Sequence, residues 1–183
     1  MARLSLDPPP TPMNRLVRWY CRRKYGAGLD SLMMTAHHRQ VMLSTIRMEL
    51  SVARWDALDS RLKMLAVMAS AHRIGCSWCT DFGYWIAIGE GIDEATIRAV
   101  PQWRDSDRFT PLERDVMDYA ERASGEVTEV TDELVERIAG QLGTAAMVEL
   151  AMMVAVENLR SRFNGGLGLT AQGFKDRCEL TPA

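Results

Sequence analysis

Between Thr144 and Gly165 the chain reads TAAMVELAMMVAVENLRSRFNG, and its first three turns are apolar on nearly every side of a helix. A helix of that kind is expected to be central, with other helices around it. The punctuation of the remaining chain supplies those helices. After a proline-rich leader, Met13 to Tyr25 carries Leu16, Trp19 and Tyr20 at helical spacing and stops at Gly26 and Gly28. Asp30 suits the N-cap of a long helix from Ser31 to about Leu50, with Met34, Val41, Ile46 and Leu50 near a 3.6-residue period. Asp59 caps the next, with Leu62, Leu65, Ala66, Met68 and Ala69 inward and Gly75 as its break. Ser77 to about Ile88 follows, stopped by Gly89 and Gly91, and Asp93 opens a short helix that ends before Pro101. Thr110-Pro111-Leu112-Glu113 is a capping box with proline at the first helical position. Thr131-Asp132-Glu133 starts another helix, and Thr144 caps the long one, which Gly165 and Gly166 end. No β-hairpin pattern and no short repeat interrupts the series, so the expected class is all-α.

The chain of 183 residues suits one domain: residues 1–12 as leader and 13–183 as a single helical domain. Charged residues make up 25% and hydrophobic ones 47%, a globular balance, and the net charge of −2 gives no reason to expect a nucleic-acid partner. Pro8, Pro9, Pro10 and Pro12 leave no apolar stretch for a signal peptide. The longest apolar run, Ala145 to Val156, contains Glu149 and is too short to span a bilayer. A cytoplasmic location is the expectation, and four cysteines in such a chain are not a disulfide framework.

Two of those cysteines, Cys76 and Cys79, stand in ASAHRIGCSWCTDFGYW with the spacing C-x-x-C. Gly75 breaks one helix and Cys76 begins the next, where unpaired N–H groups and the helix dipole stabilise a thiolate. Cys79 falls on the same face of the first turn, within disulfide reach. One thiolate can attack a peroxide or a disulfide and the other can resolve the product. Zinc needs two further ligands, and His72, His37, His38, Cys21 and Cys178 lack the usual spacing. Redox chemistry is the leading reading, with an inert pair and a metal half-site left open. No cofactor-binding motif stands out.

The stretch LDSRLKMLAVMASAHRIGCSWCTDFGYWIAIGEGIDEATI, Leu58 to Ile97, resembles the core motif of the carboxymuconolactone decarboxylase and alkylhydroperoxidase AhpD superfamily. FTPLERDVMDYAERAS and MVELAMMVAVENLRSRFN look like the C-terminal half of its longer members, so the resemblance runs from about Ser31 to Asn164. It implies an AhpD-like helical bundle assembled as a trimer or hexamer. It also implies that Cys79 attacks the peroxide while Cys76 donates a proton and resolves. The AhpD pattern holds a glutamate twelve positions before the first cysteine and a histidine four after the second. Here those positions are Met64 and Gly83, neither of which can move a proton. Turnover weaker than in members that keep the full relay is therefore expected.

His72, four residues before Cys76, is the first substitute base, with a pKa suited to proton transfer and helix capping as its ordinary role. Asp81 reads as a helix-dipole partner, and Glu157 as one half of an ion pair with Arg160 or Arg162. Trp78, Tyr84, Trp85 and the methionines, Met33, Met34, Met64, Met68, Met152 and Met153 among them, suit a core or the wall of an apolar pocket. His37 and His38 point about 100° apart on a helix, which disfavours a shared metal. The basic N-terminal helix is expected to lay its aromatic face on the body or on a neighbouring subunit.

Three functions follow. The first is a thiol-dependent oxidoreductase of the alkylhydroperoxidase or disulfide-reductase kind, with catalytic candidates Cys76, Cys79 and His72. Its substrate is a small hydroperoxide or disulfide, and its electrons come from a thiol donor. The second is a diverged, non-catalytic oligomeric binding protein. The third is a decarboxylating lyase, which needs no redox cysteines.

Overall fold

The computed structural model describes residues 2–126 and 128–179, the last three by their backbone. The elements are α1 (Pro12–Tyr25), α2 (Asp30–Thr35), α3 (Arg39–Val52), α4 (Ser60–Ile74), α5 (Ser77–Gly89), α6 (Glu94–Ala99), a 3-10 segment (Val100–Asp105), α7 (Pro111–Ala123), α8 (Asp132–Leu142), α9 (Thr144–Gly166) and α10 (Phe174–Glu179). No strand occurs among the described residues. The expected all-α, AhpD-like class holds.

Helix α4 is the hub, packed on α5, α7 and α9. Leu65, Ala66, Met68, Ala69 and Ala71 are almost fully buried, the three alanines letting neighbouring helices approach closely while Leu65 and Met68 fill the space between them. Its Asp59 cap takes the N–H groups of Arg61 and Leu62. On the other side of the core, Thr110 and Glu113 form the reciprocal capping box of α7. Glu113 also pairs with Arg61 at 2.6 Å, tying the starts of α4 and α7 together.

Four expectations change. The long helix over Ser31–Leu50 is two helices. His38 is extended (φ −129°, ψ 102°), its Nδ1 accepts the Val41 N–H, and the free Ala36 carbonyl is met by Asn14 Nδ2 at 3.2 Å. Asp30 is not a cap: it is the first residue of α2, and its N–H donates to Gln172. Nor does Thr144 cap α9, which begins on it after the positive-φ Gly143. Finally, α9 is not enclosed all round. Val148, Met152 and Leu159 are 51–61% exposed and form, with Ala145 and Ala155, one apolar strip along its outer side.

Leu16, Trp19 and Tyr20 are likewise exposed, so the aromatic face of α1 does not lie on its own body. The leader does lie on the body. Arg3 N–H bonds the Leu167 carbonyl, its guanidinium bonds the Gly166 carbonyl, and Ala2 and Leu6 pack on the cluster around the cysteines. No helix among the described residues is long and apolar enough to cross a membrane.

Candidate redox site

Gly75 ends α4 at φ 81°, a left-handed turn, with open space where a Cβ would stand. The constraint at this position is therefore conformational, and glycine meets it without strain. The N–H groups of Gly75 and Cys76 both return to the Ala71 carbonyl at 3.0 Å. This tight reversal places Cys76 as the N-cap of α5, where its Sγ accepts the Cys79 N–H at 3.2 Å. The two cysteines are joined as a disulfide across the first turn, Cα to Cα 5.3 Å. Both are buried, in a cluster with Cys21, Leu29, Met34, Ala71, Trp78, Leu169 and Phe174.

The polar groups that meet the sulfurs come from α9. Ser161 Oγ lies 3.3 Å from Cys79 Sγ and 2.8 Å from Glu157 Oε1. Asn164 Nδ2 donates to Cys79 Sγ at 3.4 Å and reaches Cys76 Sγ at 3.9 Å, while its buried Oδ1 finds no partner. Glu157, Ser161 and Asn164 are each at most 2% exposed. Their spacing, i, i+4 and i+7, makes one polar stripe on the inner side of an apolar helix. Ser161 and Asn164 were absent from the sequence candidates, and that stripe is the signal that finds them.

The ion pair expected of Glu157 forms with Arg160 at 3.4 Å, but it is the weaker of that arginine's contacts. Arg160 holds Glu49 of α3 by two shorter bonds, 2.9 and 2.6 Å. Arg162 reaches toward the Gly125 carbonyl instead. Burial dominates and pushes the Glu157 carboxyl up to about 7, against the opposing pull of Arg160 and Ser161.

The remaining candidates sit around this centre. His72 is on the last turn of α4 with its imidazole partly open to solvent, and both sulfurs take their hydrogen bonds from other groups. Desolvation of its covered part lowers its pKa, opposed by Glu121 and reinforced by Lys175. Asp81 serves a helix dipole, but that of α10: it accepts the N–H groups of Gln172, Phe174 and Lys175 at 2.7, 3.1 and 2.8 Å. Trp78 is packed, its Nε1–H bonding Gln172 at 2.8 Å and its ring leaning on Phe82. Met64 is buried in the main core, and a Cβ on Gly83 would stand 2.7 Å from Met68 Sδ. His37 meets the Ser5 carbonyl, while His38 caps α3. No group of His, Cys, Asp or Glu among the described residues could hold a metal, and the Cys178 side chain lies outside them. Two clefts of about 580 and 650 Å³ flank the leader near Pro9, Asn14 and His37, and no cysteine lines either.

Fold and site together define an all-α protein organised around a cysteine pair at a helix start. Residues 40–122 match the carboxymuconolactone decarboxylase family. That match covers a little under half of the chain, from α3 into α7, and supports its resemblance to the carboxymuconolactone decarboxylase and AhpD superfamily. It is 31% identical over 117 residues to the uncharacterized protein YnjA of Escherichia coli (strain K12), a match spanning 64% of this chain and 64% of YnjA's length. Among solved structures it is similar to a cysteine-to-alanine variant of the debrominase Bmp8 bound to 2,3,4-tribromopyrrole, with TM-score 0.83 and 15% identity over 97% of each chain. A peroxidase-related protein with an AhpD core from Ralstonia eutropha JMP134 gives TM-score 0.81 and 16% identity over 95% of this chain and 94% of that one. At these identities the structural likeness shows the fold.

Proposed function

We propose that this protein is a thiol-dependent oxidoreductase that reduces small hydroperoxides with the Cys76–Cys79 pair. The observation that carries the reading is the disulfide closed across the first turn of α5, with a hydroxyl and an amide aimed at its sulfur atoms. Reduced, Cys79 attacks the distal peroxide oxygen. The O–O bond breaks, the alkoxide takes a proton and leaves as an alcohol, and Cys79 becomes a sulfenic acid. The Cys76 thiol then attacks that sulfur and water leaves, restoring the disulfide. A dithiol donor returns two electrons and two protons, and a small disulfide can replace the hydroperoxide as oxidant. His72 is the base that the motif's own neighbourhood offers. A decarboxylating lyase has no use for the pair, and a binding protein has no use for donors aimed at it.

The working protein is a homo-oligomer, a trimer or hexamer, in the cytoplasm. Support for assembly is the apolar strip on α9 and the exposed Leu16, Trp19 and Tyr20 of α1. The test of function is steady-state reduction of cumene hydroperoxide with dithiothreitol as donor. Wild type turns over, while Cys79→Ser and Cys76→Ser lose turnover. Equal consumption by all three proteins contradicts the proposal.

A further inference from the structure

Resting on the thiol-oxidoreductase reading, we infer that α9 supplies its own proton path to Cys79: Ser161 accepts the thiol proton at its hydroxyl while passing its own to the Glu157 carboxylate. In this transfer the S–H bond breaks and an Oγ–H bond forms, and the original Oγ–H breaks as an Oε1–H forms. Negative charge moves from carboxylate to sulfur with no change in proton count. The distances, 3.3 Å from sulfur to hydroxyl and 2.8 Å from hydroxyl to carboxylate, leave one short hop at each end. Afterwards Ser161 O–H and Asn164 Nδ2 both donate to the thiolate. The unpartnered Asn164 Oδ1 is an independent sign that this amide is oriented by the sulfurs.

The path stands in for the pair of positions occupied here by Met64 and Gly83. It comes from a different helix and competes with His72 of α4 for the role of base. Glu157 is suited to the exchange because its surroundings leave it poised. Arg160 on its own helix is held mainly by Glu49, which faces it from α3, and burial raises Glu157 to about 7. From α5 the group facing it is Cys79, through Ser161. The α4 cation directed at α9, Lys63, pairs with Glu149, about two turns away. Thiol and carboxyl titrate as one coupled system, so the limb seen in experiment belongs to the pair.

The experiment reads the alkylation rate of Cys79 in the fully reduced protein against pH, by mass spectrometry. Wild type is expected to show a limb centred near 7. Glu157→Gln and Ser161→Ala move it toward the ordinary thiol value of about 8.5, slowing alkylation at pH 7 by roughly tenfold or more. Ser161→Thr, which keeps the hydroxyl, holds the wild-type limb. In peroxide turnover the first two variants lose on the order of 10²-fold in kcat/KM. A limb unmoved by both variants, or moved by His72→Gln instead, overturns the path. If the limb moves as stated but no hydroperoxide is consumed, the path stands and the peroxidase reading fails. If peroxide is consumed with one pH profile in every variant, the reading stands and the path fails.

Discussion

Replacing Glu157 by glutamine is expected to change how the stability of the oxidised protein depends on pH. The carboxyl rises from 4.5 to about 7 on folding, chiefly because burial disfavours its charged form. Below pH 4.5 it is protonated in both folded and unfolded chains. Between 4.5 and about 7 the unfolded chain releases the proton and the folded one keeps it, so stability falls as pH rises. Above about 7 both states are ionised and the loss is complete. At about 1.4 kcal/mol per pH unit, this rise corresponds to about 3 kcal/mol. Glutamine keeps the shape and a hydrogen bond to Ser161 but does not ionise, so it removes that loss. Urea unfolding at pH 5 and pH 8, with the disulfide intact, separates the two proteins. With a slope of about 2 kcal/mol per molar, the wild-type midpoint should drop between the two pH values by on the order of 1.5 M more than that of the variant. All other titrations are common to both proteins and cancel in the difference. Identical pH dependence in wild type and Glu157→Gln would refute the claim that this carboxyl is buried with an incompletely compensated charge.

Asn164→Ala removes one donor to the Cys79 thiolate and is expected to slow Cys79 alkylation at pH 7 in the reduced protein. Restoring the motif residues with Met64→Glu and Gly83→His should not raise turnover. It should cost about 2–4 kcal/mol in denaturant unfolding, since the glutamate enters the main core and the histidine meets Met68. Asp81→Asn weakens the cap of α10 by about 1 kcal/mol and should speed hydrogen exchange at the Phe174 and Lys175 amides. Met152→Lys, on the exposed strip of α9, should lower the mass seen by light scattering at micromolar concentration while leaving the helical circular dichroism spectrum intact.

Elements whose start and stop signals are local were legible in the sequence. Asp59, Asp93, Thr110 and Thr131 cap the helices they were expected to cap, and Gly75 turns where a turn was needed. What was hidden depends on partners far along the chain. The break at His38 is supported by Asn14, whose amide meets a carbonyl 22 positions away. Helix α10 went unseen because its cap is Asp81, 94 positions before Lys175. The outward strip of α9 was unreadable because Met and Val suit a core and a subunit interface equally well. The cysteine pair announced itself through spacing, but Ser161 lies 82 positions from Cys79, and only the packing of α9 on α5 joins them. Glu157 stood in the sequence as half of an ion pair, and Arg160 does meet it at 3.4 Å; what local pattern could not show is that Glu49 of α3 takes the two shorter bonds of the same arginine.

The measurement that bears most directly on the account is a single-turnover titration. Reduced protein receives one equivalent of hydroperoxide and is quenched with an alkylating agent before peptide mass spectrometry. The account predicts one Cys76–Cys79 disulfide formed per peroxide consumed, and in Cys76→Ser a sulfenic acid trapped at Cys79. Peroxide consumed with both thiols still free to alkylate, or a sulfenic acid found at Cys76 in Cys79→Ser with none at Cys79 in the reciprocal variant, would contradict it.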